Sequence, residues 1–315
     1  MTVNLTAFNQ PYHLKTAVLF LVFNRLDTTK QVFEEIRQAR PPRLYIAADG
    51  ARASREGEVA TVQAIRDYVK IHIDWECEVR TLYREHNLGC KLAVSSAITW
   101  FFEHEEMGII LEDDCLPHPT FFKFCEELLN YYRDDTRIGM ISGDNFQFGQ
   151  SRTDASYYFS RINHIWGWAS WRRAWQYYDR EASIWPLFQD GDWLDVIACN
   201  QSEKRYWNNI FKLVHAGRID TWDYQWVLAS WTQGMLSVMP NVNLISNIGF
   251  GPGATHTFGS NVYANMKVEQ MDFPLLHARI ILPNLSADAY TAKSQFTTKS
   301  LFSRILHKLS LIIRS

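Results

Sequence analysis

The chain has no run of about 18 consecutive apolar residues, the length a helix needs to cross a bilayer, so nothing in it reads as a membrane span. Its five cysteines (Cys77, Cys90, Cys115, Cys125 and Cys199) form no Cys-x-x-Cys pair and no zinc-ligand spacing. That excludes a zinc ribbon, and an odd, scattered set is expected of reduced thiols in a reducing compartment. Neither sign of charge dominates: 32 Lys and Arg against 34 Asp and Glu leave a formal net charge of -2, with no global attraction for nucleic acid. There is no internal repeat and no low-complexity linker. Met1 to Tyr12 lack a basic region followed by an apolar core, so no signal peptide is expected. The expected location is the cytoplasm, and the sequons at Asn4 and Asn284 are expected to be irrelevant there.

What is present suits a large core. Of 315 residues, 47% are hydrophobic and 21% charged, enough for one large α/β domain or two lobes. Twelve Trp and 14 Tyr exceed what such a core requires. Flat amphipathic rings suit sugar faces, and they also fill cores.

Over the first 145 residues, short β-rich runs alternate with helical stretches. Ala17 to Phe23 is a continuous apolar run, the mark of a strand covered on both faces. Asp27 is placed to cap a following helix whose buried side carries Val32, Phe33 and Ile36. Further strands are expected at Leu44 to Ala48, Glu78 to Tyr83, Gly108 to Leu111 and Ile138 to Ile141. Further helices are expected at Val59 to Val69, at Leu92 to Phe102 and from Pro119 onward. Such alternation implies a mostly parallel, Rossmann-like sheet flanked by helices. Ligands gather at the carboxyl ends of its strands. Three of those ends carry polar clusters: Asn24-Arg25, Asp49-Gly50 and Glu112-Asp113-Asp114.

After Gly149 the sequence becomes rich in Trp, Tyr and Asn and loses clean alternation, as expected of a lobe appended to the sheet. The expected organisation is a first half over 1–149, a second half over 150–260 built onto the same sheet, an extension over 261–298, and a basic amphipathic helix over 299–315. In that last segment Leu301, Ile305, Leu309 and Ile312 fall at helical spacing, with Lys299, Arg304, Lys308 and Arg314 mostly off the stripe. Such a helix lies in a membrane interface or packs on protein.

Three adjacent acids directly after a buried strand repel one another, and a divalent cation offsets that cost. Oxygen ligands suit Mg²⁺ or Mn²⁺. A solvated acidic turn, or Asp114 acting as a helix cap, explains the same residues without a metal.

The stretch EDDCLPHPTFF, followed by a helix and then Ile141 to Asn145 (ISGDN), resembles the centre of the GT-A glycosyltransferases, and most closely the N-acetylglucosaminyltransferase I type. Phe23-Asn24-Arg25, Asp49-Gly50, Gly167-Trp168 and Trp222-Asp223-Tyr224-Gln225-Trp226 are similar to segments of that family in the same order. The last departs from the family's Trp-Asp-Asp-Trp by one insertion. The resemblance implies a GT-A fold with an appended acceptor-binding lobe. It further implies that Asp114 binds Mn²⁺ or Mg²⁺. Asn24, Arg25, Asp49, Gly50, Glu112 and Asp113 would hold a nucleotide-sugar donor, UDP by virtue of Asp49. Gly167, Trp168 and Trp222 would meet a glycan acceptor, and Asp223 would be the general base. A base on the face opposite the leaving group implies inversion.

His256, in the glycine-rich run Gly249 to Gly259, is a candidate second metal ligand, or simply a solvated loop residue. The segment His86 to Lys91 precedes a helix whose backbone N–H groups offer a phosphate contact, and a plain helix-start turn explains it as well. Two other functions compete. A sugar-nucleotide pyrophosphorylase needs a glycine-rich loop early in the chain, and no glycine follows Val22 before Gly50. A non-catalytic carbohydrate-binding protein would use the aromatics without an acidic strand end.

Overall fold

A computed structural model describes residues 12–250 and 262–296. His256 and the basic segment 299–315 lie outside the described residues, as does nearly all of the glycine-rich run.

In the first half, strands β1 (Val18–Val22), β2 (Arg43–Ala48), β3 (Glu78–Tyr83) and β4 (Met107–Glu112) alternate with helices α1 (Leu26–Ala39), α2 (Glu58–Ile71) and α3 (Gly89–His104). A short strand β5 (Cys115–Pro117) follows, then α4 (Thr120–Tyr131) and β6 (Ile138–Ser142). The second half adds β7 (Tyr157–Ser160), β8 (Trp168–Trp171), α5 (Arg172–Trp175), α6 (Trp185–Asp190), α7 (Leu194–Ile197), α8 (Gln201–His215), α9 (Asp223–Thr232), β9 (Leu236–Pro240), β10 (Ile245–Asn247) and α10 (Leu285–Gln295).

Eight strands form one sheet in the order β3-β2-β1-β4-β8-β6-β9-β7. The block β3-β2-β1-β4 is parallel throughout, with Val18 opposite Leu44 on one side and Ile109 on the other. Strand β8 enters antiparallel between β4 and β6, so the sheet is mixed beyond the first four strands. The fold is thus α/β, a large central sheet flanked by helices.

The apolar run of β1 follows from this position. Successive residues point to opposite faces. Val18, Phe20 and Val22 pack into the core under α1, α2 and α4, while Leu19 and Leu21 pack on the other face under α3, α5 and α9. Leu44 and Ile46 of β2, and Ile109 and Leu111 of β4, join the first core, and Tyr45 and Ile110 the second. Each fully buried Leu, Ile or Phe stabilises by about 1.5–3 kcal/mol, so a polar residue anywhere on β1 would find no tolerant face.

One local expectation is corrected. Helix α1 begins at Leu26 with Arg25 at its N-cap position, and no side chain caps it. Asp27 therefore sits within the first turn, where it meets the helix dipole but closes no orphan N–H.

Helix α9 explains why the second half reads poorly as amphipathic sequence. Trp226 and Ala229 face the sheet, whereas Val227, Leu228 and Trp231 join a separate core with Trp185, Trp207 and Phe211 of α6 and α8. A helix apolar all round is a buried one. The first residue of α9 is Asp223. No helix among the described residues is long and apolar enough to cross a membrane.

Buried behind this region, His164 has its pKa pushed down to about 3 by loss of water. The unfolded chain takes up that proton near the ordinary value of about 6.5, so stability is lost as pH falls from there towards 3. Relative to His164→Asn, the wild-type unfolding free energy should decline with acid by an extra ~1.4 kcal/mol per pH unit between about pH 6 and 4. Denaturant titrations giving equal slopes would contradict a buried neutral imidazole.

Candidate functional site

The carboxyl ends of β1 to β4 open into a cavity of about 570 Å³. That lies within the usual range for small-molecule sites. The cavity is lined by Phe23, Arg25, Asp49, Arg84 and Glu112 to Asp114, and by Ile165, Trp166, Ile219 to Thr221, Asp223 and Tyr224. The structure thereby brings together Arg25, Asp49, Glu112, Asp113, Asp114 and Asp223, six of the residues expected from sequence.

Glu112 closes strand β4, and Asp113 and Asp114 occupy the turn into β5. Asp113 and Asp114 are buried. Arg25 bridges them, with one guanidinium nitrogen 3.4 Å from Asp113 Oδ1 and another 2.8 Å from Asp114 Oδ2. The backbone N–H of Phe23 donates to Asp113 Oδ2 at 3.1 Å. Burial raises the pKa of Glu112, reinforced by Asp114 and Asp113. Burial also raises that of Asp113, with Arg25 opposing. One guanidinium cannot neutralise three clustered carboxylates, and Asp223 adds to the repulsion felt by Glu112. An oxygen-only set with surplus negative charge fits a hard divalent cation. Among the described residues, no group of three or more His, Cys, Asp or Glu side chains is already gathered around a metal position. Arg25 would share Asp114 with the ion or yield it.

Other expected residues take different places. Asp49 lines the cavity, but its oxygens accept from the backbone N–H groups of Gly50, Leu88 and Gly89 and from Asn87 Nδ2, at 2.8–3.2 Å. It ties the end of β2 to the turn before α3. Asn24 is off the cavity wall and donates to Glu58 Oε1 at 2.8 Å. Gly50 faces the backbone of His86, which a Cβ would meet at 2.3 Å. Gly167, Trp168 and Trp222 are also off the wall. Trp168 and Trp222 are buried and stacked 5.7 Å apart, packing the base of α9 against the sheet.

The start of α3 does not offer its amides to a phosphate. Leu88 and Gly89 donate to Asp49, while Cys90 and Lys91 donate to Asp220 at 3.0 and 2.9 Å. The plain helix-start reading holds, with both caps supplied from distant segments.

Sequence reasoning missed Arg52, Arg84, Asp220 and Tyr224 on the wall. Arg84 had a usable signal, for it follows β3 directly, the fourth equivalent strand end. Arg52 had none: Glu58 clamps its guanidinium and backbone N–H, leaving it over the Phe23 ring at 5.3 Å.

No protein-family model matches the chain, and no curated protein does. Among solved structures, the chain is similar to the mannosyltransferase PcManGT from Pyrobaculum calidifontis in complex with GDP-Man and Mn²⁺, at 13% identity over 70% of each chain and a TM-score of 0.37. It is also similar to GalNAc-T7 with UDP, GalNAc and Mn²⁺, at 12% identity over 72% of this chain and 43% of that one, TM-score 0.44. A UDP-glucose pyrophosphorylase complexed with UDP-glucose aligns at 14% identity over 48% of this chain and 64% of its own, TM-score 0.26. The chain spans less than two thirds of the last two.

The close approach at Gly50 is open to test. Gly50→Ala should destabilise the protein by about 1–3 kcal/mol in chemical denaturation, because the added methyl meets backbone that cannot swing aside. Unchanged stability would mean that the turn at His86 has room to move.

Proposed function

We propose that the chain transfers a sugar from a nucleoside-diphosphate sugar to a hydroxyl of a glycan acceptor, with the help of Mn²⁺ or Mg²⁺. The observation that carries this reading is one cavity lined by Glu112, Asp113 and Asp114 together with Asp223, whose charge is felt by Glu112. The resemblance to the N-acetylglucosaminyltransferase I type supports it through the order of the motifs.

In this reading Asp114, with Asp113 beside it, would hold the cation, which supplies Lewis-acid stabilisation for charge on the departing diphosphate. Arg25, Arg52 and Arg84 are cationic side chains lining the same cavity. Glu112 accepts hydrogen bonds from donor hydroxyls. Glycosyl transfer passes through an oxocarbenium-like state, so the acceptor oxygen must lose its proton as it attacks. Asp223 takes that proton. Its Oδ1 accepts the Thr221 hydroxyl, which fixes the carboxylate's rotation. With Asp223 taking the proton on the face opposite the departing diphosphate, attack inverts the anomeric centre. UDP as the nucleotide and a lipid-linked glycan as the acceptor are the finer parts of the proposal. The segment 299–315 would bring the enzyme to such an acceptor at the cytoplasmic face of a membrane.

A donor-hydrolysis screen across sugar nucleotides, with and without Mn²⁺, tests the reading. Wild type should release nucleoside diphosphate from one donor only when the ion is added, and Asp114→Ala should abolish release. Asp223→Asn should lower kcat for transfer by about 10²- to 10⁴-fold with donor KM unchanged. Full turnover by Asp114→Ala would remove the metal role, and full transfer by Asp223→Asn the base.

A further inference from the structure

The start of α3 is closed by two carboxylates that arrive from opposite halves of the fold. Asp49 belongs to the end of β2 and takes the Leu88 and Gly89 amides. Asp220 precedes α9, 129 residues away from its partner Lys91 in the chain. It takes the Cys90 and Lys91 amides. Gly89 permits this contact. Its φ is +79°, and a Cβ there would meet Asp220 Oδ2 at 2.6 Å.

The short segment that Asp220 anchors also carries Thr221, whose hydroxyl donates to Asp223, and ends in Asp223 itself. Two further bonds fix its other side: the Tyr178 hydroxyl donates to the Trp222 carbonyl at 3.0 Å, and Gln225 Nε2 to the Thr221 carbonyl at 2.8 Å. Lys91, whose N–H is bound by Asp220, sends its own ammonium to Glu181 at 2.9 Å. Asp220 is exposed, so its bonds to α3 are made at the rim of the cavity and compete with water.

We propose that Asp220 is a positioning residue: by latching the 219–223 segment to the N-terminus of α3, it sets the place of Asp223 in the cavity it shares with the acidic triplet. This rests on the reading of Asp223 as the base. The latch itself does not. A carboxylate at a helix start also gains from the helix dipole, so the bond is stronger than an exposed pair of neutral partners. Misplacing a reacting group by about an ångström is enough to cost on the order of 10²-fold in rate.

The test uses the full chain and three variants: Asp220→Ala, Asp220→Asn and Gly89→Ala. Trypsin cleavage at the exposed Arg218–Ile219 bond reports on the latch without reference to activity. Asp220→Ala and Gly89→Ala should be cut there faster than wild type, with kcat for transfer lowered about 10- to 100-fold and donor KM within about two-fold of wild type. Asp220→Asn keeps one acceptor oxygen and is itself a good cap, so it should recover part of both properties. Unchanged cleavage in Asp220→Ala would overturn the latch. Faster cleavage with wild-type kcat would overturn the positioning role. A wild type that turns over no sugar nucleotide would sink the proposed activity and the catalytic meaning of Asp220, with cleavage still deciding whether the segment is latched.

Discussion

Three carboxylates cannot be packed at the end of a fully buried strand and all remain charged without cations beside them. The contacts of Arg25 and of the Phe23 amide answer that constraint. Arg25 turns back from the first residue beyond the β1 loop to bridge Asp113 and Asp114, which fixes how α1 leaves the sheet. The Phe23 amide is spent on the same carboxylate. Even so, among the described residues Arg25 is the one cation paired with Asp113 and Asp114, and burial with mutual repulsion raises the pKa of Glu112 and Asp113.

The first half of the fold was legible because burial leaves a plain record in sequence. A strand covered on both faces must be apolar at every position, and Ala17 to Phe23 is. Helices over one face must show a stripe, and Val32, Phe33 and Ile36 do. Parallel β-α-β order then places the strand ends together, so the sequence already implied that Arg25, Asp49 and the acidic triplet lie near one another, as they do on the cavity. The second half was less readable for a physical reason. Strand β8 enters antiparallel between β4 and β6, and α9 is packed on two sides, so neither leaves a simple period.

Within the site, the misreadings share one cause. Composition and spacing can say that a polar residue lies near a strand end, but not which partner consumes it. Asp49 and Asn24 are where a donor-binding residue would be, yet Asp49 is engaged by the turn before α3 and Asn24 by Glu58. Asp220, which completes that turn, lies in an unremarkable stretch of sequence. Trp168 and Trp222 look like sugar platforms in a list of residues, and in space they are sealed against each other. Such closures join segments far apart in the chain, and no local pattern records them.

The burial of tryptophan has an optical consequence. Eight of the 12 indoles are buried, and Trp193 is the one that stands more than half exposed at the surface. Trp166 alone among them forms part of the cavity wall, with its ring edge-on to Phe250. Several of the buried rings stack or meet edge to edge in dry surroundings. Trp166 stands at the border of that array, where an occupant of the cavity would alter its surroundings directly.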